Sequence, residues 1–139
     1  EETARVERFG IPFTFLLIRF ESLEEIMERF GHQAGQDLLT RFVEVVTGRL
    51  RITDTCFRFS ADRIVLLLAG SRRSEAETFC SDLEGQIRRA GIKDTSSREG
   101  FCIPVRIGIA EGKKEDSLDR SVAEAEARSS RVASFSICQ

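Results

Sequence analysis

Few side chains in this 139-residue chain could do chemistry. Arg51-Ile52-Thr53-Asp54 is its only R-x-x-D. A guanidinium offers a planar fork of N–H donors and a carboxylate three residues on offers acceptors, so the pair could hold a ligand that presents both. The spacing equally admits a plainer arrangement, in which Arg51 caps the end of a helix, Asp54 opens a turn and both are solvated. His32 is the lone histidine and follows Gly31, so no Ser-His-Asp or Cys-His set can be built around it. Neither G-x-x-x-x-G-K-[ST] nor G-x-G-x-x-G occurs.

Composition narrows the partners. Lys and Arg number 21 against 23 Asp and Glu, so the chain lacks the broad basic field of a nucleic-acid or membrane-surface binder. With no Tyr or Trp, a sheet would also have few rings for base stacking. Cys56, Cys80, Cys102 and Cys138 are scattered without metal-ligand spacing, and the expectation is four reduced, mostly buried thiols and no bound metal or cofactor. The apolar runs Phe13 to Ile18 and Ile64 to Ala69 are strand-sized, far short of the roughly 20 residues of a membrane helix. The chain is expected to be one cytoplasmic domain, 1–139. It lacks an initiator Met and opens on Glu1 to Arg8, which read as the tail of a helix, so it is expected to be part of a longer multidomain protein.

The elements that must position these residues follow from periodicity. Pro12 to Phe20 reads as a buried strand. Ser22 with Glu25 reads as a capping box that opens a helix ending at Gly31, and a longer amphipathic helix runs from Ala34 to Leu50. Cys56 to Phe59 and Ile64 to Ala69 read as an antiparallel hairpin with Ser60-Ala61-Asp62-Arg63 at its tip. A helix from Ala76 to Ile87, a loop at Gly91 to Gly100, a strand at Phe101 to Ala110, a thin Ala-rich helix at Ser117 to Arg131 and a final strand at Ser134 to Cys138 complete the order βααββαβαβ. That order implies an α/β fold with a mixed central sheet and flanking helices.

Phe15-Leu16-Leu17-Ile18-Arg19-Phe20-Glu21, Phe30-Gly31-His32-x-x-Gly35 and Arg58-Phe59-Ser60-Ala61-Asp62-Arg63-Ile64 stand in ungapped register. They resemble the LLIDIDxFK, GHxxGD and RYGGDEF segments of the GGDEF, or diguanylate cyclase, family. Arg106-Ile107-Gly108-Ile109-Ala110 is similar to that family's SIGVA strand. The resemblance implies a nucleotidyl-cyclase palm-like fold, and in active members GTP, two divalent metals and formation of cyclic di-GMP across a dimer.

On that resemblance the signature is degenerate at Ser60, Ala61, Asp62, Arg63 and Ile64. The metal-binding Asp corresponds to Arg19 and the signature's second acid to Arg63, and a guanidinium at a ligand position repels a metal. The guanine-reading pair corresponds to Met27 and Gln36, and the active-site lysine to Glu24. Two glycines become Ser60 and Ala61, whose Cβ atoms restrict the turn. The expectation is therefore a chain that is not an enzyme.

What remains is Arg51 and Asp54, which match the family's inhibitory R-x-x-D site. The resemblance implies a bacterial cyclic di-GMP receptor domain in which the nucleotide bridges to a neighbouring domain or second protomer and regulates the parent protein, as in control of exopolysaccharide production or motility. Asp82 stands where the family has a secondary Arg; Arg72, Arg73 or Arg88 are the possible substitutes. The alternative is a ligand-free interaction or dimerisation module on the same fold. Neither reading involves nucleic acid or membrane contact by this segment.

Overall fold

The computed structural model describes residues 13–90, 101–112, 123 and 133–138. Strand β1 (Phe13–Phe20) is buried on both faces. Leu16, Ile18 and Phe20 pack in the larger core, while Phe15 and Leu17 join Val65, Leu67 and Ala110 in a second cluster. Two-sided burial is why the sequence is a continuous apolar run there.

Helix α1 (Leu23–Phe30) and helix α2 (His32–Thr47) are separated only by Gly31, at φ 103°, a conformation that residues with a Cβ rarely adopt. Helix α2 begins at the first residue after that glycine, two residues earlier than periodicity predicted. The capping box at Ser22 does not form. Ser22 turns left-handed (φ 56°, ψ 25°) and makes no side-chain cap bond, because its geometry serves the tight exit from β1.

Strands β2 (Thr55–Ser60) and β3 (Arg63–Ala69) form the hairpin. Ser60 pairs with Arg63, so the tip is the two residues Ala61 and Asp62, and the register shifts between Arg58 and Ser60. Helix α3 (Arg73–Arg89) buries Ala76, Cys80, Leu83 and Ile87 at helical spacing. Burial and the nearby Glu77 carboxylate push the Cys80 thiol up to about 12. Strands β4 (Cys102–Gly112) and β5 (Ala133–Cys138) complete a sheet of order β2-β3-β1-β4-β5.

Each of the four pairings is antiparallel. The sequence order suggested a mixed sheet, but β1 and β2, which run the same way, are kept apart by β3. The α/β palm-like architecture with helices packed on a central sheet is otherwise the one implied. The larger core, with Phe42 of α2 edge-on to Phe20 at 5.4 Å, lies between this sheet and the helices. Each such fully buried apolar side chain contributes roughly 1.5–3 kcal/mol.

The cysteine expectation is corrected in part. Cys102 and Cys138 are opposite residues of the β4–β5 ladder and form a disulfide, with Cα atoms 4.1 Å apart; Cys56 and Cys80 are free. The predicted N-terminal helical tail, the loop at 91–100 and the helix at 117–131 lie outside the described residues, apart from Ala123, which is helical. Among the described residues no helix is long and apolar enough to cross a membrane.

Candidate functional site

Two concavities lie at opposite ends of β3. At its C-terminal end the chain leaves α2 and turns through residues 51–54 before β2. The turn closes on its own side chain: Asp54 N–H donates to Arg51 O (2.9 Å), and Arg51 N–H donates to Asp54 Oδ2 (2.9 Å). The Arg51 guanidinium then folds back, Nε to Asp54 Oδ2 at 3.2 Å and Nη2 to Oδ1 at 3.3 Å. Nη2 also donates to Ala69 O and Ser71 Oγ, both at 2.9 Å. Ser71 is held in turn through its carbonyl, which accepts from the buried Thr14 hydroxyl at 2.7 Å.

Arg51 and Asp54 are thus brought together, but with unequal exposure. The Arg51 side chain is 56% exposed, whereas that of Asp54 is 4% exposed. The expectation that both are solvated is corrected for Asp54, because its carboxylate is consumed in fixing the turn and the guanidinium. An arginine carries five N–H donors. Here Nη1 keeps two N–H groups that no described residue accepts, and they are what this residue offers to a ligand.

The pocket at this turn has a volume of about 220 Å³ and is bordered by Arg49, Arg51, Asp54, Ser71, Phe79 and Asp82, among others. Arg49 was not singled out from the sequence. It stands over the Phe79 ring at 5.3 Å and pairs with Asp82 at 3.3 Å, so the carboxylate expected to repel an anion already has a cation beside it. Its Nε is buried without a hydrogen-bond partner. Arg72, Arg73 and Arg88 do not border this pocket; Arg73 pairs with Glu77 and Arg88 with Glu84 along α3. A single arginine after a helix end carries no sequence signal of its own, and the half-buried setting of Arg49 depends on the distant Phe79 and Asp82.

At the other end, a cavity of about 650 Å³ lies between α1, the start of α2 and the hairpin tip. Met27 and Gln36 border it together with Glu24, Glu28, His32, Arg58, Ala61 and Asp62. The tip is laced by Arg58, which donates to Ala61 O (2.6 Å) and Ser60 O (3.3 Å), and by Ser60 Oγ, which donates to Asp62 Oδ1 (3.0 Å). Met27 lies so close over Gly35 that a Cβ there would stand 2.7 Å from Met27 Cγ. Arg19 and Arg63 do not border the cavity, and Ile64 is buried in the core. Glu24, Glu25 and Glu28 of α1 share this end with Asp62.

The metal pair implied by the family resemblance finds no matching donors. Arg19 and Arg63 are cross-strand partners, and among the described residues no three His, Cys, Asp or Glu side chains are grouped to hold a metal ion.

The family model described as diguanylate cyclase, GGDEF domain, matches residues 1–132. Diguanylate cyclase DosC of Escherichia coli (strain K12) is 23% identical over 109 residues, covering 78% of this chain and 24% of the relative. The chain therefore spans about a quarter of the length of that relative. Among solved structures, diguanylate cyclase SiaD of Pseudomonas aeruginosa, in complex with its activator SiaC, superposes with a TM-score of 0.76 at 19% identity, covering 94% of this chain and 50% of that one. The GGDEF domain of DgcB from Caulobacter crescentus, in complex with c-di-GMP, does so with a TM-score of 0.74 at 18% identity, covering 91% and 74%.

These findings correct the expectation that the chain is not an enzyme. The matching family is one of diguanylate cyclases, and the curated relative carries that name. The expectation judged five side chains singly, whereas the family match extends over residues 1–132.

Proposed function

We propose, from the premise that this chain belongs to the GGDEF, or diguanylate cyclase, family, that it works in cyclic di-GMP signalling as a domain that binds the dinucleotide at the turn after α2. The observation that carries this reading is the Arg51 guanidinium. It is locked on one side by Asp54, Ala69 and Ser71 and open on the other at Nη1, above a pocket bordered by a second arginine. A preset fork loses little freedom on binding, and the two N–H groups of Nη1 suit the O6/N7 edge of guanine or a phosphate oxygen. In this reading Arg51 touches the ligand and Asp54 positions Arg51. Arg49 offers the second cation, in place of the α3 arginines.

A pocket of about 220 Å³ takes one base rather than a whole dinucleotide. The rest of the ligand would therefore meet a neighbouring domain or a second protomer, and binding would bias how that neighbour sits. Ile52, fully exposed at the tip of the turn, is an apolar contact for such a neighbour. The substitutions at the signature, Ser60, Ala61 and Arg63, belong to this reading as departures from the family pattern at the far end of β3. In this reading the domain is one part of a longer cytoplasmic protein, and the relative of which it spans only a fraction supports the longer chain.

Calorimetric titration with cyclic di-GMP, with GTP as the comparison ligand, tests the proposal. Saturable micromolar binding of the dinucleotide supports it. Heat from neither ligand would remove the receptor role and favour a domain that acts through protein contacts alone.

A further inference from the structure

Cys102 and Cys138 face each other across the β4–β5 ladder and are joined by a disulfide. Their surroundings differ. Cys102 is exposed, whereas Cys138 is buried, with 1% of its surface open. A thiolate that attacks this bond reaches it at the Cys102 sulfur, which makes Cys138 the leaving group. Cys56 and Cys80 lack such an opening: the first is half-buried, the second is buried, and loss of hydration raises both thiols above their ordinary value.

The bond ties down an edge. Strand β5 is an outer strand of the sheet, paired among the described residues with β4 alone. It sends Phe135 and Ile137 into the larger core, where the Phe135 ring lies 6.5 Å from that of Phe42. Ile137 is opposite Ile103, the residue after Cys102. On the other side of Cys102, Phe101 stacks on Phe30 of α1 with ring centroids 5.0 Å apart. The cross-link thus fixes the edge strand to the stretch of β4 on which the end of α1 rests. Opposed residues of an antiparallel pair keep their Cα atoms about 4.5–5.5 Å apart through the ladder alone, so the two thiols stay within reach after reduction and the bond can form again.

We propose that Cys102 and Cys138 form a reversible thiol–disulfide switch, with exposed Cys102 exchanging with a small thiol of the glutathione class and buried Cys138 resolving the mixed disulfide. In the reducing direction the small thiolate bonds to Cys102 Sγ, the protein S–S bond breaks, and Cys138 leaves as a thiolate that takes a proton. A second small thiolate then attacks its own kind in the mixed disulfide and frees Cys102. Two small thiols are oxidised to one small disulfide and the protein bond gains two electrons. In the oxidising direction Cys102 attacks the small disulfide and Cys138 displaces the remaining small thiol. In a reducing compartment the open form prevails until the small-thiol pool is oxidised, and closure then secures β5. The switch is independent of the cyclic di-GMP reading, which concerns the turn after α2.

The test equilibrates the unaltered chain in excess reduced or oxidised glutathione, quenches it in acid, and alkylates it unfolded for mass analysis. Two alkyl groups, on Cys56 and Cys80, are expected from the oxidised sample and four from the reduced one. The oxidised form should melt about 5–15 °C higher, the range for one cross-link in a domain of this size. Amides of Phe135 and Ile137 should exchange faster in the reduced form, while those of Leu16 and Ile18 in β1 stay unchanged. In oxidised glutathione, Cys138→Ala should retain the tripeptide on Cys102, and Cys102→Ala should retain roughly tenfold less on Cys138, because access controls the exchange. Four alkyl groups in both samples, two in both, equal melting temperatures of the two forms, or glutathione held on Cys138 in preference to Cys102 would overturn the proposal.

Discussion

The two ends of β3 use the same residue type in opposite ways. At Ala69 an arginine from another element, Arg51, is neutralised by a buried carboxylate and donates to a backbone carbonyl and a hydroxyl. At Arg63 the strand instead contributes its own arginine to a row of like charges whose central member has no partner among the described residues. One guanidinium is a strut with a free edge, and the other set is a row in which Arg106 meets Glu21 and Arg63 has Asp62 beside it while Arg19 stands between them. The identity of a side chain therefore says less about its role than whether its charge is already met, and that is decided by register and by burial.

The contrast can be broken most severely at Asp54. Its carboxylate accepts three bonds from Arg51 while 4% exposed. Asp54→Ala should cost about 2–3 kcal/mol in urea unfolding, the range for hydrogen bonds to a charged group, and should release Arg51 from its preset orientation. Asp54→Asn should cost less, since it keeps the shape and part of the bonding. A cost no greater than that of an ordinary surface substitution would mean that the turn does not depend on this pair.

At the tip end, Gly35→Ala would place a Cβ 2.7 Å from Met27 Cγ and 2.9 Å from Met27 Cε, so α1 or the Met27 side chain must shift. An overpacking cost of about 1–3 kcal/mol is expected, with recovery in a Gly35→Ala, Met27→Ala double variant. Thr14→Val removes the hydroxyl that fixes Ser71 at 2.7 Å and should cost about 1–2 kcal/mol, as expected for a buried acceptor left unmet, while leaving the arginine row undisturbed.

The smallest effect distinguishes the ends by sign. Arg51→Gln should destabilise, whereas Arg19→Gln should stabilise by a few tenths of about 1 kcal/mol by relieving repulsion across the ladder. Destabilisation by Arg19→Gln would show that its charge is already met.

A pH series offers a control common to both ends. The Cys80 thiol is raised from 9.0 to about 12 by burial and Glu77. The folded chain therefore holds a proton that the unfolded chain gives up between those values. Its contribution is fully present below pH 9 and is lost as pH rises toward 12. Alkylation of Cys80 at neutral pH should accordingly be slow until the chain unfolds.

Much of this frame was legible in the sequence for a physical reason. Runs such as Phe13 to Phe20 and Ile64 to Ala69 are buried on both faces, and helices such as Leu38 to Val46 bury one stripe, so composition and period report them locally. The pair Arg51 and Asp54 was equally visible, because it closes over three residues. What sequence could not reveal is long-range register. Arg19, Arg63 and Arg106 lie more than forty positions apart in succession, and only the ladders make them neighbours. The pairing of Cys102 with Cys138 is invisible in the sequence for the same reason. The burial of Asp54 was missed because an exposed turn and a turn closed on its own side chain share one composition. The view that the chain is not an enzyme rested on substituted positions weighed singly, and it is overturned by the match of the chain as a whole to a family of diguanylate cyclases.

The most direct test of the account is a backbone amide spectrum of the isotopically labelled chain during titration with cyclic di-GMP. The resonances of Arg49, Arg51, Asp54 and Phe79 should move and saturate together, while those of Arg19, Arg63 and Arg106 stay in place. Shifts centred on residues 60–63 and the α1 cavity, or no shifts at all, would contradict the assignment of the dinucleotide to the turn after α2.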